Sequence, residues 1–207
     1  MYQHNLELLE EMSASSALQD LKTIQDIMRW AYSYFNASDL YYGHGYENGW
    51  QEAQQLVLSA LSLPADVPEA MYASRLTNVE KTRAIELIQT RLGTRQPVAY
   101  LTNSAWFCGL EFYVDERVIV PRSPIGELIR DQFSGFINHK PKRILDLCTG
   151  SGCIAIACAE AFPEAEVDAV DLSLDALDVA QINIERYQLS ERVFPMSSDL
   201  FNDIPQD

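Results

Sequence analysis

The chain has 207 residues, room for one large domain or two small ones, and 47% of them are apolar, enough for a real core. Its 15 lysines and arginines against 30 aspartates and glutamates leave a net charge of −15. That balance disfavours direct affinity for a nucleic-acid backbone and favours encounter with a basic partner. Acidity for solubility alone would give the same number.

Residues 1–20 carry acids and no apolar segment of useful length, so no secretory leader is expected. No window approaches the ~18 apolar residues of a membrane span. Residues 1–104 read as a helical domain. Short helices fit residues 3–12 and 66–73. Leu18, Leu21, Ile24, Ile27, Met28, Ala31, Tyr34 and Phe35 recur at spacings of three and four, which predicts one helix over 17–36. Trp50, Ala53, Val57, Ala60 and Leu61 mark a second, stopped by Pro64. Thr77 and Glu80 form a capping box that opens a third, ending at Gly93 with Arg91 in its last turn. Between the first two, 39–49 holds Tyr41, Tyr42, Gly43, Gly45, Tyr46 and Gly49 and reads as an ordered loop. The aromatic cluster from Trp30 to Trp50 reads as core.

Residues 105–122 read as a β-hairpin connector. Leu110, Phe112 and Val114 alternate with polar residues, Asp115-Glu116 suggests the turn, and Val118 and Val120 follow. From 123 to 207 the pattern is that of an α/β domain. Ser123-Pro124 starts a helix to about 137. Strand 143–148, helix 152–161, strand 166–170, helix 174–187 and strand 192–198 follow. Right-handed crossovers make the sheet parallel, with the first strand beside the second and the second beside the third. Three such strands are the first half of a doubly wound sheet. The apolar strand 144–148 would normally lie centrally, and no sequence remains to cover its other edge. The chain is therefore expected to be truncated or to pair with something that completes it.

Cys108, Cys148, Cys153 and Cys158 form no C-x-x-C, and His4, His44 and His139 share no ligand spacing. The cysteines read as reduced, small hydrophobes of a cytoplasmic protein, and no metal is expected.

The chemistry concentrates in residues 143–155. An apolar run carries Asp146, breaks at Thr149-Gly150-Ser151-Gly152 and resumes as a helix; a second run ends in Asp171. Glycines let a backbone approach a ligand that a Cβ would block, and the second acid can accept hydrogen bonds from ribose hydroxyls. Two ligands fit. Gly150-x-Gly152-x-x-Ala155 matches the dinucleotide fingerprint, with Asp171 where an NAD ribose acid belongs. Alternatively, Asp146 before the bend suits the cationic methionine end of S-adenosyl-L-methionine, and Asp199 offers a carboxylate near its adenine. Residue chemistry favours the methyl donor. The same residues have purely structural readings: a tight turn for the glycines, a buried acid pairing a backbone donor for Asp146, a helix cap for Asp171 and a polar strand end for Asp199.

I-L-D-L-C-T-G-S-G-C-I-A-I-A, D-A-V-D-L-S and S-D-L-F resemble the protein-(glutamine-N5) methyltransferases, as does the upstream V-D-E-R-V-I-V-P-R-S-P-I-G-E-L-I. Pro121-Arg122-Ser123-Pro124-Ile125-Gly126-Glu127, Cys148 and Tyr42-Gly43-His44-Gly45 are similar to the branch that methylates large-subunit ribosomal protein three. The release-factor branch reads P-R-P-D-T-E instead. The resemblance spans essentially the whole chain. It implies a helical substrate-recognition domain (1–104), the hairpin connector (105–122) and part of a Rossmann-like class I methyltransferase sheet (123–207). It implies S-adenosyl-L-methionine as cofactor and a basic ribosomal protein as substrate, without direct contact to nucleic acid or membrane. Asp146 would help hold the cofactor's methionine end and Cys148, Thr149, Gly150, Ser151 and Gly152 would wrap it. Asp171 would bind its ribose hydroxyls, Asp199 and Leu200 would border its adenine, and Leu172 completes the cofactor-binding set. The family's catalytic N-P-P-Y, which grips the glutamine amide, does not occur here. By family spacing it would begin shortly after Asp207. The 207 residues alone are therefore expected to be inactive and to bind the cofactor weakly.

Overall fold

The computed structural model describes residues 14–43 and 45–204. The chain divides into two compact units, Met1–Thr102 and Asn103–Asp207.

The first unit is helical. It comprises α1 (Ala14–Asp20), α2 (Ile24–Ala37), α3 (Gly49–Ala60), a 3-10 turn (Glu69–Ala73), α4 (Asn78–Thr94) and α5 (Val98–Thr102). The single helix expected over 17–36 is two. Thr23 ends the first by starting the second: its hydroxyl accepts the N–H of Asp26, whose carboxylate accepts the N–H groups of Thr23 and Lys22. The apolar periodicity runs through this break, which conceals it in the sequence. The capping box at Thr77 opens α4 as expected, but the helix passes Gly93 and ends only where Arg95 turns left-handed, at φ 59°. The short helix expected near 3–12 lies outside the described residues. Ile27, Met28, Phe35, Leu56, Ala53 and Ile88 are buried where α2, α3 and α4 meet. Each large aliphatic among them contributes about 1.5–3 kcal/mol by leaving water.

One ion pair sits inside this apolar centre. Arg91 on α4 donates Nε to Glu52 Oε2 at 2.8 Å and Nη2 to Glu52 Oε1 at 3.1 Å, and Nη2 also reaches the Tyr41 carbonyl at 3.1 Å. Glu52 and Arg91 are each 2% exposed. The pair ties α3, α4 and the backbone of Tyr41 together.

The second unit opens with a hairpin of β1 (Ala105–Phe107) and β2 (Leu110–Phe112), in which Phe107 pairs with Leu110. Its turn lies at Cys108-Gly109, with φ of 53° and 83°, not at Asp115-Glu116. Two central residues of positive φ match the right-handed twist of the strands, and glycine takes the second place without strain. Asp115 instead accepts the N–H and guanidinium of Arg117, and Val118 and Val120 are buried without forming a strand. The helix α6 (Ile125–Arg130) is also shorter than the expected 123–137. Gln132 turns left-handed, and the N–H groups of Gln132 and Phe133 close back onto the carbonyls of Ile129 and Leu128. This pair of hydrogen bonds satisfies two of the last carbonyls and ends the helix without glycine.

Then β3 (Arg143–Leu147), α7 (Cys153–Ala161), β4 (Glu166–Asp171), α8 (Leu174–Arg186) and β5 (Val193–Ser197) build a parallel sheet in the order β3-β4-β5. Leu147 pairs with Val170, and Asp171 with Ser197. β4 is the central strand, with Val167, Ala169 and Val170 buried. α7 packs on β3 and β4, and α8 on β4 and β5. The carboxyl ends of the three strands come together, which is where open α/β sheets bind ligands.

Candidate cofactor-binding site

The bend after β3 is fixed at nearly every residue. The Thr149 N–H bonds the Val170 carbonyl at 2.9 Å, joining the bend to the neighbouring strand. The Thr149 hydroxyl donates to Asp146 Oδ2 at 2.6 Å, and the Gly150 N–H donates to Asp171 Oδ2 at 2.9 Å. The Gly152 N–H closes onto the Thr149 carbonyl at 3.0 Å. Gly152 has φ 77°, and a Cβ there would stand 3.3 Å from Ala180 Cβ on α8. A side chain there is strained by the backbone and crowded by Ala180. Gly150 has φ 56° and open space where a Cβ would stand.

Asp146 has a clear physical task. The N-cap of α7 is Gly152, which has no side chain to receive the helix's first N–H groups. Asp146 supplies the missing acceptor from the strand: its Oδ2 takes the Ala155 N–H at 3.1 Å. Its negative charge also faces the positive end of the helix. The residue is 8% exposed, and burial raises its pKa, against the lowering effect of the Thr149 hydroxyl and Ala155 N–H. The carboxylate therefore holds the bend from beneath.

Asp171, at the end of β4, is half-buried. It accepts the Gly150 N–H on one oxygen and the Ser173 N–H, at 3.0 Å, on the other. Each oxygen keeps a further lone pair, and the carboxylate is held in one orientation. The helix α8 has its own cap, since the Ser173 hydroxyl accepts the Ala176 N–H.

Asp199 and Leu200 follow β5. The Ser198 N–H bonds the Asp171 carbonyl at 3.1 Å, so their segment begins beside the end of β4. Leu172 and Leu200 are 67% and 53% exposed, apolar side chains displayed at the two strand ends. Cys148 is exposed and left-handed, at φ 60°. A non-glycine residue held in that region is strained. Cys153 and Cys158 are buried, and burial pushes their thiols up to about 11 and about 12. No cluster of metal-ligating side chains occurs among the described residues. No helix among them is long and apolar enough to cross a membrane.

Several known proteins are similar to this chain. The family model for the methyltransferase small domain matches residues 133–207. The ribosomal protein uL3 glutamine methyltransferase of Francisella tularensis is 46% identical over 199 residues, 95% of this chain and 63% of that protein. That of Bordetella pertussis is 46% identical over 189 residues, 90% of this chain and 63% of its own length. The chain is similar in sequence to the uL3 glutamine methyltransferases of these two bacteria. It spans less than two-thirds of their length, 63% in both cases. Among solved structures, the N-terminal domain of human METTL16 in complex with SAH aligns with a TM-score of 0.39 at 16% identity, covering 69% of this chain and 53% of that one. A likeness so low carries no argument.

Of the residues expected from sequence, Asp146, Thr149, Gly150, Ser151, Gly152 and Asp171 converge on one bend. Cys148 and Leu172 flank it, and Asp199 and Leu200 stand at the next strand end. Sequence reading missed Asn183. This α8 side chain is fully buried and donates Nδ2 to the Ser151 carbonyl at 2.9 Å. An asparagine at an apolar helical position, between Ala180 and Ile184, was the available signal.

Proposed function

We propose that the protein transfers a methyl group from S-adenosyl-L-methionine to the side-chain amide nitrogen of a glutamine in ribosomal protein uL3. The observation that carries this reading is the kinship, 46% identity across 95% of the chain. The residues present fit the cofactor. The space over Gly150 admits a ligand against the backbone. Asp171, already anchored by two N–H groups, has lone pairs left for ribose hydroxyls. Asp199, Leu200 and Leu172 offer a polar and apolar border for an adenine. Cys148 through Gly152 would wrap the amino-acid end, with Asp146 bracing them.

When bound, S-adenosyl-L-methionine supplies an electrophilic methyl group on a sulfonium centre. The acceptor amide nitrogen is a poor nucleophile because its lone pair is delocalised, so most of the help a protein can give is in-line positioning. This chain's part is to hold the donor in one place: the bend is pinned to β4 and α7, and Asp171 is anchored by two N–H groups. N-P-P-Y does not occur in these 207 residues, and no catalytic residue is assigned among them. The net charge of −15 suits a basic protein substrate more than nucleic acid, by raising the rate of encounter. Four free cysteines fit a cytoplasmic setting.

The test is methyl transfer by the full-length protein. Radiolabelled donor and purified uL3 should give label on a glutamine located by peptide mass spectrometry. Asp171→Ala should weaken S-adenosylhomocysteine binding about ten- to a hundredfold, the worth of hydrogen bonds to a charged group. Absence of label on uL3 together with thermal stabilisation by NADH rather than S-adenosylhomocysteine would replace this reading with a nicotinamide-dependent one.

A further inference from the structure

We infer that Asn183 is a positioning residue for the cofactor bend, locking it to the segment that leaves the hairpin; the inference rests on the bend being the cofactor site. Asn183 lies on α8, three residues after Ala180, so the two share a face. Both meet the bend. Ala180 abuts Gly152, and the Asn183 amide reaches the carbonyl of Ser151, the residue between the two glycines. The rest of that amide is spent on one residue across the unit. Nδ2 donates to the Tyr113 carbonyl at 2.9 Å, and Oδ1 accepts the Tyr113 N–H at 2.7 Å. The side chain thus reads the backbone of Tyr113 as a neighbouring β-strand would, and gives its last donor to Ser151.

Asn183 is fully buried, and Ser151 is 2% exposed. A buried amide with three bonds of 2.7–2.9 Å holds its partners at fixed separation. Any shift of Tyr113 must move Ser151 or break the link. Asn183 does not touch the space over Gly150, so it acts through the bend and not on a ligand directly. A second bolt nearby serves as control. The Tyr187 hydroxyl on the same side of the unit donates to the Glu111 carbonyl at 2.8 Å and has no bond to the bend. Tyr187→Phe loosens the hairpin while keeping the ring against Phe112.

The experiment compares Asn183→Ala and Tyr187→Phe in the full-length protein. It follows amide hydrogen exchange at Thr149 and Gly152 without ligand, and S-adenosylhomocysteine affinity by calorimetry. Both variants should melt earlier. Only Asn183→Ala should speed exchange in the bend and weaken binding, each roughly tenfold, the scale of one buried hydrogen bond. A folded Asn183→Ala protein that matches Tyr187→Phe in both readouts overturns the proposal. Where that variant does not fold, wild-type exchange decides. The Tyr113 and Gly152 amides should share one opening free energy across denaturant, and independent openings would overturn the lock. Where the wild type binds no S-adenosylhomocysteine, the cofactor reading fails, and the exchange data alone still support or overturn the link from Asn183 to the bend.

Discussion

Asp146→Ala should destabilise the unit Asn103–Asp207 through two orphaned donors. The Ala155 N–H and the Thr149 hydroxyl both lie in buried residues and both donate to Asp146 Oδ2. Each buried donor left without an acceptor costs about 1–3 kcal/mol, so the gross loss is about 2–6 kcal/mol. Removing a desolvated acid returns part of this, leaving about 2–4 kcal/mol net. For a unit of this size that corresponds to a melting shift of roughly 10–25 °C. Asp146→Asn keeps an acceptor oxygen and should lose only about 1 kcal/mol near neutral pH. The pH dependence adds a sign. Burial raises the Asp146 pKa above its ordinary 3.8, so the folded state holds the proton more tightly than the unfolded chain. The cost of ionising it is absent below pH 3.8, grows from there to the folded value, and is complete above it. Wild type should therefore lose stability relative to Asp146→Asn as pH rises through that interval. Urea unfolding followed by far-UV circular dichroism at several pH values measures both effects. An alanine variant as stable as wild type would refute the capping role, and an asparagine variant as damaged as alanine would show that charge matters more than the acceptor.

Arg91→Met should cost the helical unit about 3–5 kcal/mol by leaving Glu52 charged and unpartnered, and Glu52→Leu/Arg91→Met should recover most of it, read by tryptophan fluorescence during urea unfolding. Gly126→Ala should destabilise, since its Cβ would stand 2.9 Å from Cys108 Sγ and 3.2 Å from the Phe107 ring. Overpacking costs about 1–3 kcal/mol against the ~1 kcal/mol that alanine gains in a helix, and Cys108→Ala should restore the loss, as thermal unfolding of the single and double variants will show. Iodoacetamide should alkylate Cys148 before Cys153 or Cys158, and S-adenosylhomocysteine should slow the reaction at Cys148, followed by mass spectrometry; equal rates with and without ligand would place the ligand elsewhere.

The sheet was legible because its strands are apolar, its bends carry Gly and Asp, and periodicity changes at each boundary. Asp146, the glycines and Asp171 announced themselves the same way, as polar or small residues interrupting apolar runs. What escaped was set by local closure. Thr23 restarts a helix without breaking the apolar rhythm, and Gln132 ends one in a conformation usually given to glycine. The hairpin turn at Cys108-Gly109 was overlooked for the more polar Asp115-Glu116, although the positive φ it needs at the second position was signalled by glycine. Asn183 escaped because its partners, Tyr113 and Ser151, are 70 and 32 residues distant in sequence.

Helix α7 has no start signal of its own. Its cap arrives from a strand that must already lie alongside, so the segment after Gly152 acquires its first turn only as the sheet assembles. A peptide covering 150–162 should stay unstructured in water, and Gly152→Asp in that peptide should raise its helicity. The bend is thus a product of completed folding, absent from partly folded chains.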